Sequence, residues 1–351
     1  MTAPIRVALL GYGLAGAVFH APLIALVEGL ELRAIVTRND ERRSRARRDH
    51  PAADLLESAE EVWRHADGFD LVVVAAPNRF HVSLARAAVE AGLAVVVDKP
   101  LAANADEART VVREAGERGV MLTVFQNRRW EGDFLTVRGL LEQDALGEVE
   151  RFESRFERWR PELSGGWRES GEPEDSGGLL YDLGSHLVDQ ALCLFGPAAL
   201  VYAELDRRRP GAETDDDTFV AVTHESGVRS HLWMSAVAAQ PGPRFRVIGR
   251  SAAYVKYGLD IQEELLRAGR RPNDPSWGRE PEDRWGLLGA GEQVRPVPTV
   301  PGAYQRFYEG VVLALRGNAP PPVDPDTVLS GLEVLDAARI SGREQRVVLL
   351  P

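Results

Sequence analysis

The sequence predicts an α/β protein: an N-terminal doubly wound parallel sheet of the Rossmann type, followed by an α+β domain with a large, mostly antiparallel open-faced sheet. Over roughly the first 125 residues, short apolar strands alternate with helices, as in βαβ units covered on both faces. A glycine-rich turn follows the first strand directly. Later, strand-like runs separated by turn signals replace the alternation. We expect a dinucleotide-binding domain over 1–125 and a substrate domain over 126–351, with the last helices docking back on the first domain.

Each predicted strand of the first domain is an apolar run that ends at a turn or a polar residue. These strands are Ile5–Leu10, Leu30–Val36, 71–76, 94–97 and 120–125. The predicted helices are an apolar pattern from the glycine turn to about residue 27, a charged helix over 41–48, a helix over 79–91 and the amphipathic segment Ala105–Arg118.

The second domain follows a different pattern, with fewer helices and more alternating strands. Helices are predicted over 131–141 and 179–195, with a glycine-rich loop over 164–178 between them. Strands are predicted over 148–160, 200–205, 218–224, 229–237, 244–248 and 252–257. The Pro- and Gly-rich segment 269–301 is predicted to be a long loop or lid, or an ordered interface segment. Helices over 304–316 and 326–341 close the chain.

Composition limits the function classes. The net charge of −11 argues against a nucleic-acid partner, because the one basic stretch without acidic neighbours, 42–48, is typical of a single helix face. The single cysteine, Cys193, excludes an intrachain disulfide and suits the cytosol. Ile5–Leu10 is too short for a signal sequence, and no apolar run reaches transmembrane length. We expect a cytoplasmic protein that binds a small molecule.

The glycine turn predicts a dinucleotide site. It consists of Gly11, Tyr12, Gly13, Leu14, Ala15 and Gly16. A G-x-G-x-x-G pattern alone is a weak signal, but here it follows a strand and opens a helix, which is the context that supports it. The first glycine permits the tight turn, the second lets backbone N–H groups approach a pyrophosphate, and the third lets the helix pack on the strand. A simple strand-to-helix turn is the alternative.

The end of the second strand indicates which cofactor is bound. An NAD site usually has an acidic residue about 20 residues past the glycines, to hold the ribose 2′-hydroxyl. This chain has Thr37 and Arg38 there, a hydroxyl and a guanidinium that suit a 2′-phosphate. We therefore predict NADP over NAD. Asp40 would restore NAD binding only if the strand ended later.

Lys99 and the pair Asp182 and His186 are the candidate catalytic residues. Of 42 Lys and Arg residues only Lys99 and Lys256 are lysine, and Lys99 follows a buried strand directly. Lysine can exchange a proton where arginine cannot, although a surface lysine is the alternative. Asp182 and His186 are four residues apart, so they would share one helix face, where the carboxylate could orient the imidazole. The alternative is a first-turn acid and a buried core histidine. No further ligands stand at metal-site spacing, so we predict no metal.

Weaker candidates follow other strands or lie in loops, and a surface loop is the alternative for each. Cofactor contacts are predicted for Ala76, Pro77, Asn78 and His81, for Asn127 and Arg128, and for Trp167 and Arg168. The acidic run 215–217 is predicted to be a solvated hairpin turn.

Together these motifs resemble the Gfo/Idh/MocA family of sugar and polyol oxidoreductases, over the whole length of the chain. The motifs that carry the resemblance are Gly11-Tyr12-Gly13-x-x-Gly16, Asp98-Lys99-Pro100 and Gly177-Gly178-x-x-x-Asp182-x-Gly184-x-His186-x-x-Asp189. Phe19-His20-Ala21-Pro22-Leu23 and Asn127-Arg128-Arg129-Trp130-x-x-Asp133-Phe134 resemble its NADP-dependent scyllo-inositol dehydrogenase branch. Many relatives have a third glycine where this chain has Ser176.

The resemblance implies specific roles. Lys99, Asp182 and His186 would form the catalytic group, with Asn127 also at the substrate, and Asp98 would contact the nicotinamide ribose. The Lys99–Pro100 peptide would be cis. In alcohol oxidation His186 would take the hydroxyl proton while Lys99 hydrogen-bonds the same oxygen, unless Lys99 itself is the base.

The resemblance also implies a homodimer or homotetramer formed through the open sheet of the second domain. Two other functions stay open at this point. One is a non-catalytic NADP-sensing regulator of the same fold, and the other is a dihydrodiol or imine oxidoreductase.

Overall fold

The chain forms two compact units. The computed structural model describes residues 3–172 and 175–351, apart from the side chain of Trp167. The first unit comprises Met1–Asn127, Gln262–Trp277 and Ala303–Val328, and the second comprises Arg128–Ile261, Gly278–Gly302 and Leu329–Pro351. The predicted domain boundary after residue 125 stays a prediction.

A six-stranded sheet forms the core of the first unit, and all of its neighbouring strands are parallel. The order is β3-β2-β1-β4-β5-β6. The strands are β1 (Ile5–Leu10), β2 (Leu30–Val36), β3 (Asp54–Leu56), β4 (Leu71–Val74), β5 (Ala94–Asp98) and β6 (Leu122–Phe125). Val72 and Val96 are fully buried, as the continuous apolar runs of a doubly covered sheet require. The predicted Rossmann-type sheet is confirmed, and β3 is the one strand that sequence analysis missed.

Helices follow the strands of this unit. They are α1 (Ala21–Leu26), which continues a π-helical segment (Ala15–His20), α2 (Asp40–Asp49), α3 (Ala59–Arg64), α4 (His81–Glu90) and α5 (Ala105–Arg118). Side-chain caps fix where two of them begin. Asn39 accepts the amide hydrogen of Arg42 at the start of α2, and Asn104 accepts that of Glu107 at the start of α5.

Two later segments complete the first unit. They contain α8 (Gln262–Arg267), which sequence analysis missed, and α9 (Gln305–Leu315). The side-chain oxygen of Gln262 accepts hydrogen bonds from Trp277 Nε1 at 3.2 Å and from the amide of Tyr304 at 2.8 Å. The ring of Phe307 packs edge-on against that of Phe125, with centroids 4.9 Å apart. These segments therefore pack against the end of β6.

The second unit is built on a nine-stranded sheet with the order β14-β13-β12-β11-β7-β10-β9-β8-β15. Its strands are β7 (Val149–Glu157), β8 (Ala198–Asp206), β9 (Asp217–His224), β10 (Arg229–Ser235), β11 (Phe245–Gly249), β12 (Ala253–Lys256), β13 (Gly286–Ala290), β14 (Gln293–Val297) and β15 (Val348–Leu349). Only β7 and β10 pair in parallel; the other pairs are antiparallel. Phe152, Phe156, Leu232 and Met234 are fully buried on one face. The predicted open-faced sheet is confirmed.

The interpretation of 269–301 as a long loop was wrong in part. Strands β13 and β14 form a hairpin there, and β13 extends the sheet by pairing with β12. The weak apolar pattern and Pro296 hid these strands. Pro296 lies on β14, the outermost strand, and edge strands are where sheets tolerate proline.

The helices of the second unit are α6 (Gly132–Glu142), α7 (Ser185–Phe195) and, for most of its length, α10 (Pro325–Glu344). A π-helical segment, Leu180–Gly184, leads into α7. Asp182 therefore lies in the wider π-helical turn and His186 in the first turn of α7, and their placement on one helix face stays a prediction. Short 3₁₀ turns occupy Ala66–Gly68, Asn78–Phe80, Asn127–Trp130, Trp167–Glu169 and Glu282–Arg284. Within the described ranges, none of the helices has both the length and the apolar character needed to cross a bilayer.

Candidate functional site

The glycine turn has the geometry that a dinucleotide site requires. Gly11 follows β1 with φ of +107°, and a Cβ there would lie 2.4 Å from the carbonyl oxygen of Ala75. A Cβ on Gly16 would lie 2.1 Å from the carbonyl oxygen of Gly11. A Cβ on Gly13, in contrast, would meet only the guanidinium of Arg42, at 3.7 Å. Two glycines are therefore required by the turn itself, and the third leaves the backbone open to a ligand.

The residues between these glycines differ in exposure. Tyr12 is buried with its hydroxyl 3.4 Å from an oxygen of Asp49, and burial together with the charge of Asp49 raises the pKa of Tyr12 to about 12. Its ring also packs edge-on against His50. Leu14 is 43% exposed, and Ala15 begins the π-helical segment. Tyr12 thus anchors the turn inside the unit while Leu14 faces outward.

Strand β2 ends at Val36, as predicted, so Thr37 and Arg38 follow the strand directly. Thr37 is buried, and its amide hydrogen bonds the carbonyl of Leu56 at 3.1 Å. Arg38 is exposed and donates from Nε to the carbonyl of Glu57 at 3.1 Å. Asp40 is the first residue of α2, so the later strand end under which it would serve NAD does not occur.

Lys99 lies in a turn that the end of β5 holds in place. Its amide donates to Oδ1 of Asp98 at 2.9 Å, and the side chain is half-buried. The Lys99–Pro100 peptide is cis, as the resemblance implied.

His81 links this turn to the loop after β4. Its Nδ1 lies 2.6 Å from the carbonyl oxygen of Pro100, and its Nε2 lies 2.8 Å from that of Ala76. Carbonyl oxygens only accept, so a ring nitrogen that bonds either oxygen is the donor of that bond. Its 1% exposure places this ring inside the unit. Nearby, Pro77 is exposed and Asn78 begins a 3₁₀ turn.

A second buried histidine, His20, faces the carboxylate of Asp98. His20 Nε2 lies 3.8 Å from Asp98 Oδ1, and its Nδ1 lies 2.6 Å from the hydroxyl of Tyr308 on α9. Burial opposes the ionisation of Asp98, but His20, His81 and Lys99 together lower its pKa. Burial also raises the pKa of Tyr308 well above its ordinary value. Sequence analysis named no partner for His20, because Tyr308 lies almost three hundred residues away along the chain.

In the second unit, Asp182 lies on the wall of a cavity of about 450 Å³, a size typical of small-molecule sites. Residues that line it include Arg158, Arg160, Arg168, Asp182, Leu183 and Ser235. Arg168 Nε lies 3.3 Å from Asp182 Oδ1. His186, in the first turn of α7, is 4% exposed. Trp167 precedes Arg168 in a 3₁₀ turn, and its side chain lies outside the described residues.

The loop that carries Arg168 is anchored by buried charges. Glu169 pairs with Arg209 at 2.8 Å, and Arg209 pairs with the fully buried Asp216 at 2.9 Å. Ser176, where the resemblance leads one to expect glycine, has φ of +48°, a left-handed conformation that glycine adopts more easily.

The prediction that 215–217 is a solvated turn was wrong for two of its three residues. Asp215 accepts hydrogen bonds from the amide of Leu180 at 2.7 Å and from Thr218 Oγ1 at 2.6 Å, and burial raises its pKa. Asp216 is the buried partner of Arg209 described above. The side chain of Asp217 is 39% exposed. These carboxylates hold the start of the π-helical segment and the preceding loop in place, a role that no local charge pattern reveals.

Asn127 and Arg128 follow β6. Asn127 is buried and begins a 3₁₀ turn. Arg128 hydrogen-bonds Glu131, and its guanidinium lies 4.5 Å from the ring centroid of Phe156. Their assignment to the cofactor stays a prediction.

A buried charged cluster surrounds Arg244 next to this turn. Arg244 is fully buried, with nitrogens 3.4 Å from Glu131 and 3.5 Å from Asp133. Burial and the charge of Glu131 raise the pKa of Asp133 to about 6. Sequence analysis assigned no role to Arg244, which resembled any other arginine of this arginine-rich chain.

Family comparisons agree with this fold and with the glycine turn. Residues 5–126 match the oxidoreductase family with an NAD-binding Rossmann fold, and residues 134–255 match the GFO/IDH/MocA C-terminal domain. The first unit and the family match define an oxidoreductase with an NAD-binding Rossmann domain.

Relatives extend the match along the chain. Scyllo-inositol 2-dehydrogenase (NADP(+)) IolW of Bacillus subtilis (strain 168) is 35% identical, with 99% of this chain and 96% of IolW covered. YdgJ, an uncharacterized oxidoreductase of Escherichia coli (strain K12), is 39% identical over the full length of both chains. The solved structure of yvaA from Bacillus subtilis has a TM-score of 0.94 at 34% identity, covering 99% of each chain. The chain belongs to the Gfo/Idh/MocA family of oxidoreductases.

Proposed function

We propose that this protein is an NADP-dependent dehydrogenase that transfers hydride between the nicotinamide and a secondary alcohol or ketone of a cyclic polyol or sugar. The observation that carries the proposal is the open backbone at Gly13 between two glycines that the turn requires. The 35% identity to IolW supports the choice of cofactor and of an inositol-like substrate. A D-apiose dehydrogenase of Paraburkholderia graminis, 25% identical over 92% of this chain and 84% of that protein, supports the broader class of sugar and polyol substrates.

The residues present fit a bound dinucleotide. The turn Gly11–Gly16 would hold the pyrophosphate, Thr37 and Arg38 would lie at the 2′-phosphate, and Asp98 would contact the nicotinamide ribose. Ala76, Pro77, Asn78 and His81 would lie along the same edge of the sheet. The nicotinamide, when bound, supplies the hydride acceptor.

Three residues would act on the substrate. In the oxidation direction His186 accepts the hydroxyl proton, and Asp182 orients its imidazole. Lys99 donates a hydrogen bond to the oxygen that becomes the carbonyl. Arg168 donates from Nε to Asp182 Oδ1 at 3.3 Å and so helps to orient that carboxylate.

The test compares wild type with Lys99→Met and His186→Ala in steady-state kinetics across pH. We expect kcat to fall at least about 100-fold in both variants, in line with typical general acid–base contributions. Only His186→Ala, which lacks the proposed proton acceptor, should lose the acid limb of the pH–rate profile. Near-wild-type turnover in both variants would show that the catalytic assignment is wrong. Arg113→Ala, an exposed change on α5, is the control.

We further propose that the open face of the nine-stranded sheet forms the contact of a homodimer or homotetramer. The rings of Phe219, His231 and Trp233 pack edge-on or tilted against one another on this face, with centroids 5.1 to 6.0 Å apart, and the guanidinium of Arg155 lies 4.0 Å from the Trp233 ring. Such aromatic and arginine side chains are enriched in interfaces. Light scattering of wild type and Trp233→Glu tests this proposal: a smaller particle in the variant supports it, and a monomeric wild type refutes it.

A further inference from the structure

His20 lies between a tyrosine and a carboxylate inside the first unit. Its Nδ1 lies 2.6 Å from the hydroxyl of Tyr308, and its Nε2 lies 3.8 Å from Oδ1 of Asp98. The ring packs against that of Phe125, with centroids 4.4 Å apart, and it is fully buried. Within the described residues, Nε2 has no hydrogen-bond partner. The imidazole is therefore held by its neighbours, and the nitrogen that faces Asp98 is shielded from water.

The charge of Asp98 decides which nitrogen of His20 carries a proton. Burial opposes the ionisation of Asp98, but His20 and two further basic side chains lower its pKa, so it is ionised at neutral pH. An ionised carboxylate only accepts, so an Nε2 without a proton would place its lone pair against a negative oxygen. Nε2 therefore carries a proton, and in the neutral ring the hydroxyl of Tyr308 donates to Nδ1. Tyr308 thus sets the tautomer in which His20 presents an N–H group to Asp98.

Asp98 lies where a ligand of the sheet would bind. It is the last residue of β5, and open parallel sheets bind their ligands beyond the carboxyl ends of the strands. Its Oδ1 accepts the amide hydrogen of Lys99 at 2.9 Å, and its side chain is 19% exposed. The carboxylate therefore faces His20 inside the unit and is still partly open to a ligand outside it.

We propose that His20, with its tautomer set by Tyr308, is a positioning residue that holds the Asp98 carboxylate in place for the hydroxyl groups of the nicotinamide ribose. The inference rests on the proposed function, in which Asp98 contacts that ribose. A side chain that is already held in its bound position loses less conformational freedom when the ligand arrives, which raises affinity. His20 should therefore contribute to the binding of the nicotinamide half of the cofactor and not of the adenosine half.

The experiment compares the whole cofactor with its adenosine half. NADPH is titrated by fluorescence, and 2′,5′-ADP, which lacks the nicotinamide ribose, is titrated by calorimetry. We expect His20→Leu to weaken NADPH about 10-fold, as for the loss of one charged contact, and to leave 2′,5′-ADP within about twofold of wild type. His20→Gln keeps an N–H donor and should bind NADPH within about threefold of wild type. His65→Leu, at an exposed histidine of the same unit, is the control and should change neither affinity.

Two further variants separate positioning from folding. His20→Leu leaves the buried hydroxyl of Tyr308 without its partner, so His20→Leu is also combined with Tyr308→Phe, which removes both polar groups together. This double variant should unfold in urea close to wild type and bind NADPH as weakly as His20→Leu does. In an Asp98→Ala background, His20→Leu should cause no further loss of NADPH affinity, because the carboxylate through which it acts is gone.

Each other outcome overturns the inference in a distinct way. An equal loss for NADPH and 2′,5′-ADP in His20→Leu would show that His20 supports the whole unit and does not act through Asp98. Unchanged NADPH binding in His20→Leu, or a further loss in the Asp98→Ala background, would separate His20 from Asp98 while leaving the NADP proposal in place. A wild type that binds neither NADPH nor 2′,5′-ADP would refute the proposed function before any variant is compared.

Discussion

Substitutions at Gly13 and Gly16, three residues apart in the glycine turn, test the effects on folding and on cofactor binding separately. Neither Gly13 nor Gly16 has a positive φ, so alanine suits the backbone conformation at both. A methyl group at Gly16 would lie 2.1 Å from the carbonyl oxygen of Gly11 and force the turn to move. At Gly13 the nearest protein atom would be at 3.7 Å, an ordinary contact.

These distances give opposite expectations for stability and binding. Gly16→Ala should lower the free energy of unfolding by about 1–3 kcal/mol, the usual cost of overpacking. Gly13→Ala should leave it unchanged or raise it by up to about 1 kcal/mol, because alanine restricts the unfolded chain. Gly13→Ala should nevertheless weaken NADPH about 10- to 100-fold, since its methyl group would occupy the space of a phosphate that hydrogen-bonds the backbone.

Urea denaturation gives the stabilities, and NADPH fluorescence titration gives the affinities. A Gly13→Ala protein that is stable and binds NADPH like wild type would refute the assignment of this turn to the pyrophosphate. Gly68→Ala, at a position with no neighbour within 4 Å, is the control for a harmless glycine replacement.

Three further predictions concern buried polar groups. Since the folded pKa of Asp133 is raised to about 6 from an ordinary 3.8, the protonated carboxyl favours the fold, and this contribution is lost as pH rises through 6. Urea denaturation should therefore show wild type losing on the order of 1 kcal/mol more than Asp133→Asn between pH 5 and pH 8, and parallel profiles would contradict this. Tyr308→Phe removes the hydroxyl that lies 2.6 Å from His20 and should cost about 1 kcal/mol of unfolding free energy, whereas no loss would show that the pair adds no net stability. Asp216→Asn should lower the free energy of unfolding by about 3–5 kcal/mol, because it leaves the buried guanidinium of Arg209 without its carboxylate partner. Asp217→Asn, at the half-exposed neighbouring position, should lower it by less than about 1 kcal/mol, and equal losses would contradict the buried pairing.

The fold of the first unit could be predicted because its signals are local. Strands such as Ile5–Leu10 are continuous apolar runs, and burial on both faces of a parallel sheet needs nothing else. Gly11 and Gly16 could be assigned from the motif, since its spacing encodes the turn geometry that the structure shows.

The features that sequence analysis missed depend on contacts between distant parts of the chain. Asp216 looked like part of a solvated run because its partner Arg209 is held in turn by Glu169, 40 residues earlier in the chain. His20 depends on Tyr308, and the β13–β14 hairpin depends on the edge of β12 for its pairing. Arg42 had no feature in the sequence that distinguished it from neighbouring arginines, because only the folded chain places it against Gly13.

The most direct test of the proposed function is the ratio of kcat/KM for NADP⁺ and NAD⁺ with scyllo-inositol as the alcohol, measured for wild type under identical conditions. We predict turnover with NADP⁺ and a preference of at least about tenfold over NAD⁺, the effect of one well-placed charged hydrogen bond. A preference for NAD⁺ would contradict the assignment of the cofactor. The absence of turnover with scyllo-inositol and other cyclic polyols, despite tight NADPH binding, would contradict the assignment of the substrate.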